Sequence, residues 1–133
     1  MELISTHFVK TQDLGYHGNL FGGVMLAWLD EAAAAYAAQV ADTPRMVTKH
    51  ISGLTFERPV RPGQIIKIYG EVAKVGKTSL ALAMEARRHS VYNGTQKLVV
   101  STQMTFVRID GDGEAIPISE RVRLKYRDPR DLS

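Results

Sequence analysis

The chain has 133 residues, 44% of them hydrophobic, enough for one compact domain with a buried core. It contains no cysteine, which excludes disulfides and thiolate metal sites; that composition suits a reducing compartment, so the expected location is the cytoplasm. A net charge of +3 is too small to imply nucleic acid, although it favours an anionic ligand.

Met1 to His7 has no basic run followed by an apolar core, so no leader is expected there. Leu3 to Lys10 reads as a first strand, with Phe8 and Val9 as strand formers. A glycine-rich loop follows, Asp13-Leu14-Gly15-Tyr16-His17-Gly18-Asn19. Val24 to Ala38 is dense in alanine, leucine and methionine and predicts a helix, which Asp42-Thr43-Pro44 ends. Being apolar almost all round, the helix belongs inside the protein. It is interrupted by Asp30 and Glu31 and is too short to cross a bilayer, so no membrane partner is expected.

Everything after Pro44 reads as extended. Met46 to Phe56 is a strand, and the two prolines of Glu57-Arg58-Pro59-Val60-Arg61-Pro62-Gly63 make a turn. Ile65 to Val75 is strand-like, and Gly76-Lys77 is a tight turn. Thr78 to Val91 favours helix by propensity, yet Leu80, Leu82, Met84 and Ala86 alternate with Ala81, Ala83, Glu85 and Arg87. Lying between a tight turn and Tyr92-Asn93-Gly94, it is assigned to strand. Lys97 to Ile109 is the last strand. Residues 1–120 form the expected domain, and residues 121–133 a solvated charged tail holding Arg121, Arg123, Lys125, Arg127, Asp128, Arg130 and Asp131. The expected fold class is α+β, one central helix wrapped by a curved antiparallel sheet.

Asp30 is the informative residue. A carboxylate on an otherwise oily helix is costly unless paired, solvated or functional. Helical spacing puts it on the face of Gly23, Leu26 and Ala27, continued by Ala33, Ala34 and Ala37, small residues that leave room for a substrate or a partner backbone. The plain alternative sets Asp30 and Glu31 on the one edge where the helix meets water. Gly22-Gly23 opens the helix, and the first amides of a helix are unpaired and carry positive partial charge. Such donors polarise a carbonyl and stabilise an oxyanion, although a glycine pair also serves packing or a turn. Asn19 is by default a loop-former or helix cap, and otherwise an amide that orients water or a carbonyl.

Other motifs carry less. Gly70 and Gly76-Lys77-Thr78 imitate a phosphate loop, but five residues separate the glycines where that motif has four, and a strand follows. His7, His17, His50 and His89 lack metal-ligand spacing and are structural by default, so no metal is expected; only His17 lies in the candidate site loop. No serine has a Gly-x-Ser-x-Gly context, which argues against a serine hydrolase.

Gly18-Asn19-Leu20-Phe21-Gly22-Gly23, Trp28-Leu29-Asp30-Glu31-Ala32, Phe56 to Gly63 and Val75-Gly76-Lys77-Thr78-Ser79-Leu80 together resemble the hotdog-fold acyl-CoA thioesterases. The resemblance spans Leu3 to Ile118. It implies a long helix wrapped by an antiparallel sheet, a homodimer at least with a hexamer as trimer of dimers, and acyl-CoA at the dimer interface. Under it Asp30 is the catalytic aspartate and Asn19 the catalytic asparagine, drawn from opposite protomers. The Gly23 N–H holds the thioester oxygen, with Gly22 beside it. Arg58, Lys77, Thr78 and Ser79 lie in or beside the turns where the family binds the nucleotide end; Arg87 and Arg88 are weaker candidates. CoA is part of substrate and product, and no separate cofactor is expected. Alternatives are a hotdog dehydratase or hydratase, which needs a histidine such as His17 with an acidic partner, and a non-catalytic acyl-CoA-binding protein.

Overall fold

The computed structural model describes residues 1–127, so Asp128, Arg130 and Asp131 of the expected tail lie outside the described residues. Five strands, β1 (Glu2–Phe8), β2 (Met46–Ser52), β3 (Ile65–Val75), β4 (Ser79–His89) and β5 (Gln96–Arg108), accompany a long helix α1 (Gly22–Ala41) and a short helix α2 (Glu120–Lys125). The strands form one antiparallel sheet in the order β1-β3-β4-β5-β2. Helix α1 packs across it, the arrangement expected from the sequence.

The ambiguous leucine-alanine stretch is a strand. Leu80, Leu82, Met84 and Ala86 are fully buried on one face of β4, a burial a helix would split across two faces. With Ile66 and Ile68 of β3 and Met104 and Phe106 of β5 they make the core on which Met25, Leu29, Ala33 and Ala37 of α1 sit.

Helix α1 runs further than expected at both ends. It takes in Gly22 and Gly23, and it stops at Asp42, whose left-handed φ of 56° turns its N–H back to the Ala38 carbonyl. It is not enclosed all round: Gly23, Ala27, Glu31, Ala35 and Gln39, four apart, form an exposed stripe, because a single sheet layer covers only one side of a helix. Ala33 and Ala37, expected to leave room for a ligand, are instead pressed against the sheet.

Strand β2 ends at Ser52 rather than Phe56, since Gly53 turns the chain with a φ of +47°. It is an edge strand, and Val47, Thr48, Lys49 and His50 are exposed along it. Helix α2 lies within what reads in sequence as tail. Ser119 caps it by accepting the Val122 N–H, and buried Val122 and Ile118 dock it while Arg121 and Lys125 face solvent.

Candidate active site

Two regions carry the expected chemistry, and one protomer keeps them apart. The first is a cleft of about 350 Å³ lined by His17, Asn19, Gly22, Met25, Phe56 and Arg58, among others. Buried Met25, Val60 and Val99 make an apolar floor, while His17 and Arg58 stand exposed at its rim. Backbone bonds build this cleft. The Gly15 N–H donates to the Asn19 carbonyl (2.8 Å), and Leu20 N–H to the Val60 carbonyl (2.6 Å). Glu57 N–H donates to Val99 (2.8 Å), and the Arg58 guanidinium donates to the Leu98 carbonyl, so the 57–60 loop is pinned to the start of β5.

Gly22 and Gly23 open α1 at the cleft. The Val24 and Met25 amides both donate to the Phe21 carbonyl, whereas those of Gly22 and Gly23 have no backbone partner among the described residues. Phe21 supplies no side-chain cap. Two free donors thus stand at the positive end of a 20-residue helix. A Cβ on Gly23 would lie 2.7 Å from the Phe21 ring, which would have to shift, whereas one on Gly22 would make ordinary contact with Phe56 at 3.5 Å.

Asp30 is seven residues beyond Gly23, roughly 10 Å along the helix at 1.5 Å per residue. Half-buried, it turns to the sheet edge, where its Oδ1 accepts a 2.7 Å hydrogen bond from Thr48 Oγ1 on β2. Thr48 carries no sequence signal; it lies 18 positions away and becomes Asp30's partner only through the fold.

Lys77, Thr78 and Ser79 are held in the β3–β4 turn by Arg108 N–H to the Thr78 carbonyl (3.0 Å) and Ile118 N–H to the Lys77 carbonyl (2.8 Å). Arg58, by contrast, rests on Leu98, which pairs with Arg87, eight residues along β4 from Ser79. At 3.3 Å per residue that is about 26 Å, so a single protomer does not bring Arg58 together with the Lys77 turn.

Of the histidines, His17 reaches the cleft. His7 stacks on Trp28 with centroids 4.5 Å apart, and its Nε2 lies 2.9 Å from Ser5 Oγ. Burial lowers the His7 pKa below the usual 6.5, opposed by Glu31 and Asp13. No group of three His, Asp or Glu side chains that could hold a metal occurs among the described residues.

Known proteins share this fold. The family model of the thioesterase superfamily matches residues 17–95. An uncharacterised acyl-CoA thioester hydrolase of Zymomonas mobilis is 36% identical over 95 residues, 71% of this chain and 63% of that protein. The chain therefore spans less than two thirds of that relative's length. A hexameric hotdog-fold thioesterase of Campylobacter jejuni superimposes with a TM-score of 0.83 and 31% identity, covering 95% of this chain and 96% of that one. An acyl-CoA hydrolase of Staphylococcus aureus, solved with butyryl-CoA and CoA, gives a TM-score of 0.80 and 25% identity over 96% of this chain and 80% of that one. It has also been solved with alanine replacing an aspartate and, separately, an asparagine, at positions fifteen apart (43 − 28). Asn19 and Asp30 are eleven apart (30 − 19), and fifteen before Asp30 stands Gly15. The family match runs from the cleft loop through α1 to the far side of β4, and the chain belongs to the thioesterase superfamily, an enzyme of hotdog fold.

Proposed function

We propose that this chain hydrolyses acyl-CoA to a free acid and CoA in sites shared between two protomers. One observation carries the proposal: Asp30 faces the unpaired edge strand β2, roughly 10 Å along α1 from the free Gly22 and Gly23 amides. Two copies pairing antiparallel through β2 reverse one chain relative to the other. The Asp30 of one protomer then approaches the glycine amides of its partner, and the Lys77 turn approaches Arg58. The acyl-CoA relatives and the hexameric neighbour support this reading. A homodimer is its minimum and a hexamer its full assembly.

In the mechanism we propose, Asp30 removes a proton from water, whose oxygen attacks the thioester carbonyl. The oxyanion forms at the Gly23 N–H, with Gly22 alongside, and its collapse breaks the carbon–sulfur bond. The proton taken by Asp30 returns to the departing CoA sulfur. Direct attack by Asp30, giving a mixed anhydride that water then opens, uses the same residues. Asn19 is assigned to orient the water because it shares the cleft with Gly22; it stands eleven residues before Asp30, whereas the two substituted positions of the Staphylococcus protein are fifteen apart. Arg58, Lys77, Thr78 and Ser79 are assigned to the nucleotide end of CoA. No cofactor is required. No described helix is long and apolar enough to cross a membrane, and we place the enzyme in the cytoplasm on its lack of cysteine.

Asp30→Asn tests the proposal. It keeps the Thr48 hydrogen bond through the amide oxygen but removes the base, so kcat should fall at least about 10²-fold with assembly intact. Near wild-type CoA release by that variant would end the proposal.

A further inference from the structure

A second cavity, of about 230 Å³, opens where β4 turns into β5, lined by Gln64, Arg88, His89, Ser90, Tyr92 and Lys97 among others. None of its lining residues is acidic. Arg88 and Lys97 are direct cross-strand partners in the β4–β5 ladder. Like charges so placed destabilise a sheet, and among the described residues neither meets an acidic partner within ion-pair distance. Arg88 Nη1 donates to the Pro59 carbonyl at 2.9 Å, which holds the guanidinium against the wall and leaves its other N–H groups available. His89 Nδ1 lies 3.3 Å from the Gln96 amide nitrogen; with that amide donating, the ring proton sits on Nε2 as a further donor.

Two cations forced together across a ladder, beside a donor-bearing ring and a cavity free of acids, call for an anion with several acceptors. We propose that this cavity binds a phosphate monoester dianion, which would relieve the Arg88–Lys97 repulsion and accept from both. Two sources carry that group. Pro59 lines the first cleft as well as anchoring Arg88, so the 3′-phosphate of a CoA lying across Pro59 is one, resting on the acyl-CoA reading above. Free phosphate is the other.

Thermal unfolding of the assembled protein tests the site without reference to activity. Inorganic phosphate should raise the melting midpoint of wild type more than that of Lys97→Glu, since the general stabilising effect of a strongly hydrated anion is common to both. Lys97→Glu should melt higher than wild type in phosphate-free buffer, because it converts repulsion into a pair, and should keep only the general rise that phosphate gives any folded protein. A variant that answers phosphate as wild type does would overturn the site. Steady-state kinetics then identify the source. If it is CoA, Lys97→Glu raises KM for acyl-CoA about tenfold, leaves kcat, and leaves KM for the 3′-dephospho analogue alone. If the phosphate response holds and neither KM moves, the source is free phosphate. An equal KM penalty on both substrates would count against a phosphate contact. A wild-type protein releasing no CoA from any acyl-CoA removes the hydrolase reading and leaves the melting test standing.

Discussion

Replacing Gly23 by alanine puts a methyl group on the residue whose amide is proposed to hold the thioester oxygen, against the Phe21 ring. The added Cβ would lie 2.7 Å from Phe21 Cε2, whereas ordinary contact begins at 3.4 Å, so the ring or the helix start must move by about 0.7 Å. Phe21 is 56% exposed, so its ring can give way, and alanine is better than glycine in a helix by up to about 1 kcal/mol. The fold should therefore survive. The chemistry should not, because the new methyl and the displaced ring crowd the approach to the Gly23 amide, and a misplacement of the reacting carbonyl approaching 1 Å costs on the order of 10²-fold in rate. Gly23→Ala and Asp30→Asn should each be nearly inactive alone. Mixed after dissociation and reassembly, they separate a shared site from a site within one chain. In a dimer of one copy of each, one shared site carries both substitutions and the other carries neither. With random 1:1 mixing, half the dimers are mixed and half their sites are intact, so about a quarter of wild-type CoA release should return. No recovery, with mixed dimers verified by native mass spectrometry, would refute a site built from two protomers.

Thr48→Val removes the hydroxyl that holds Asp30 Oδ1, so kcat should fall about tenfold with little change in KM, measured by steady-state CoA release. Lys77→Glu should raise KM for acyl-CoA more than it lowers kcat, although Lys77 lies far from Arg58 in its own protomer; no change in either would remove the β3–β4 turn from the site. His7 has a depressed pKa, so the unfolded chain binds its proton first as pH falls below 6.5. Stability from His7 is present above 6.5 and is lost as pH falls through the folded value. His7→Phe keeps a ring on Trp28, and its melting midpoint should fall less than that of wild type between pH 7 and pH 5.

Much of this molecule was readable before its coordinates, and the failures have physical causes. The alternation from Leu80 to Ala86 announced β4 because a half-buried strand repeats every two residues whatever its propensities. The ends of α1 were blurred because glycine is a poor helix former, yet Gly22 and Gly23 are helical. Helix α2 was hidden because Val122 is its one buried residue, set among Glu120, Arg121, Arg123 and Lys125. In the site, Asn19, Gly22 and Arg58 do share a cleft, brought there by loop bonds to Val60, Val99 and Leu98. Thr48 was out of reach, since a threonine 18 residues away is generic until the sheet edge carries it to Asp30. The Arg88–Lys97 opposition was equally hidden, because it depends on the register of two strands.

The unpaired β2 edge has a consequence for how much enzyme a cell must hold. An open strand edge offers a row of backbone donors and acceptors to any extended chain it meets. If the reaction centre exists only once two such edges have zipped together, a newly made copy is inert and sticky until it finds its twin. Specific turnover should then fall on dilution, and the same encounter that shields the edge from aggregation switches the enzyme on.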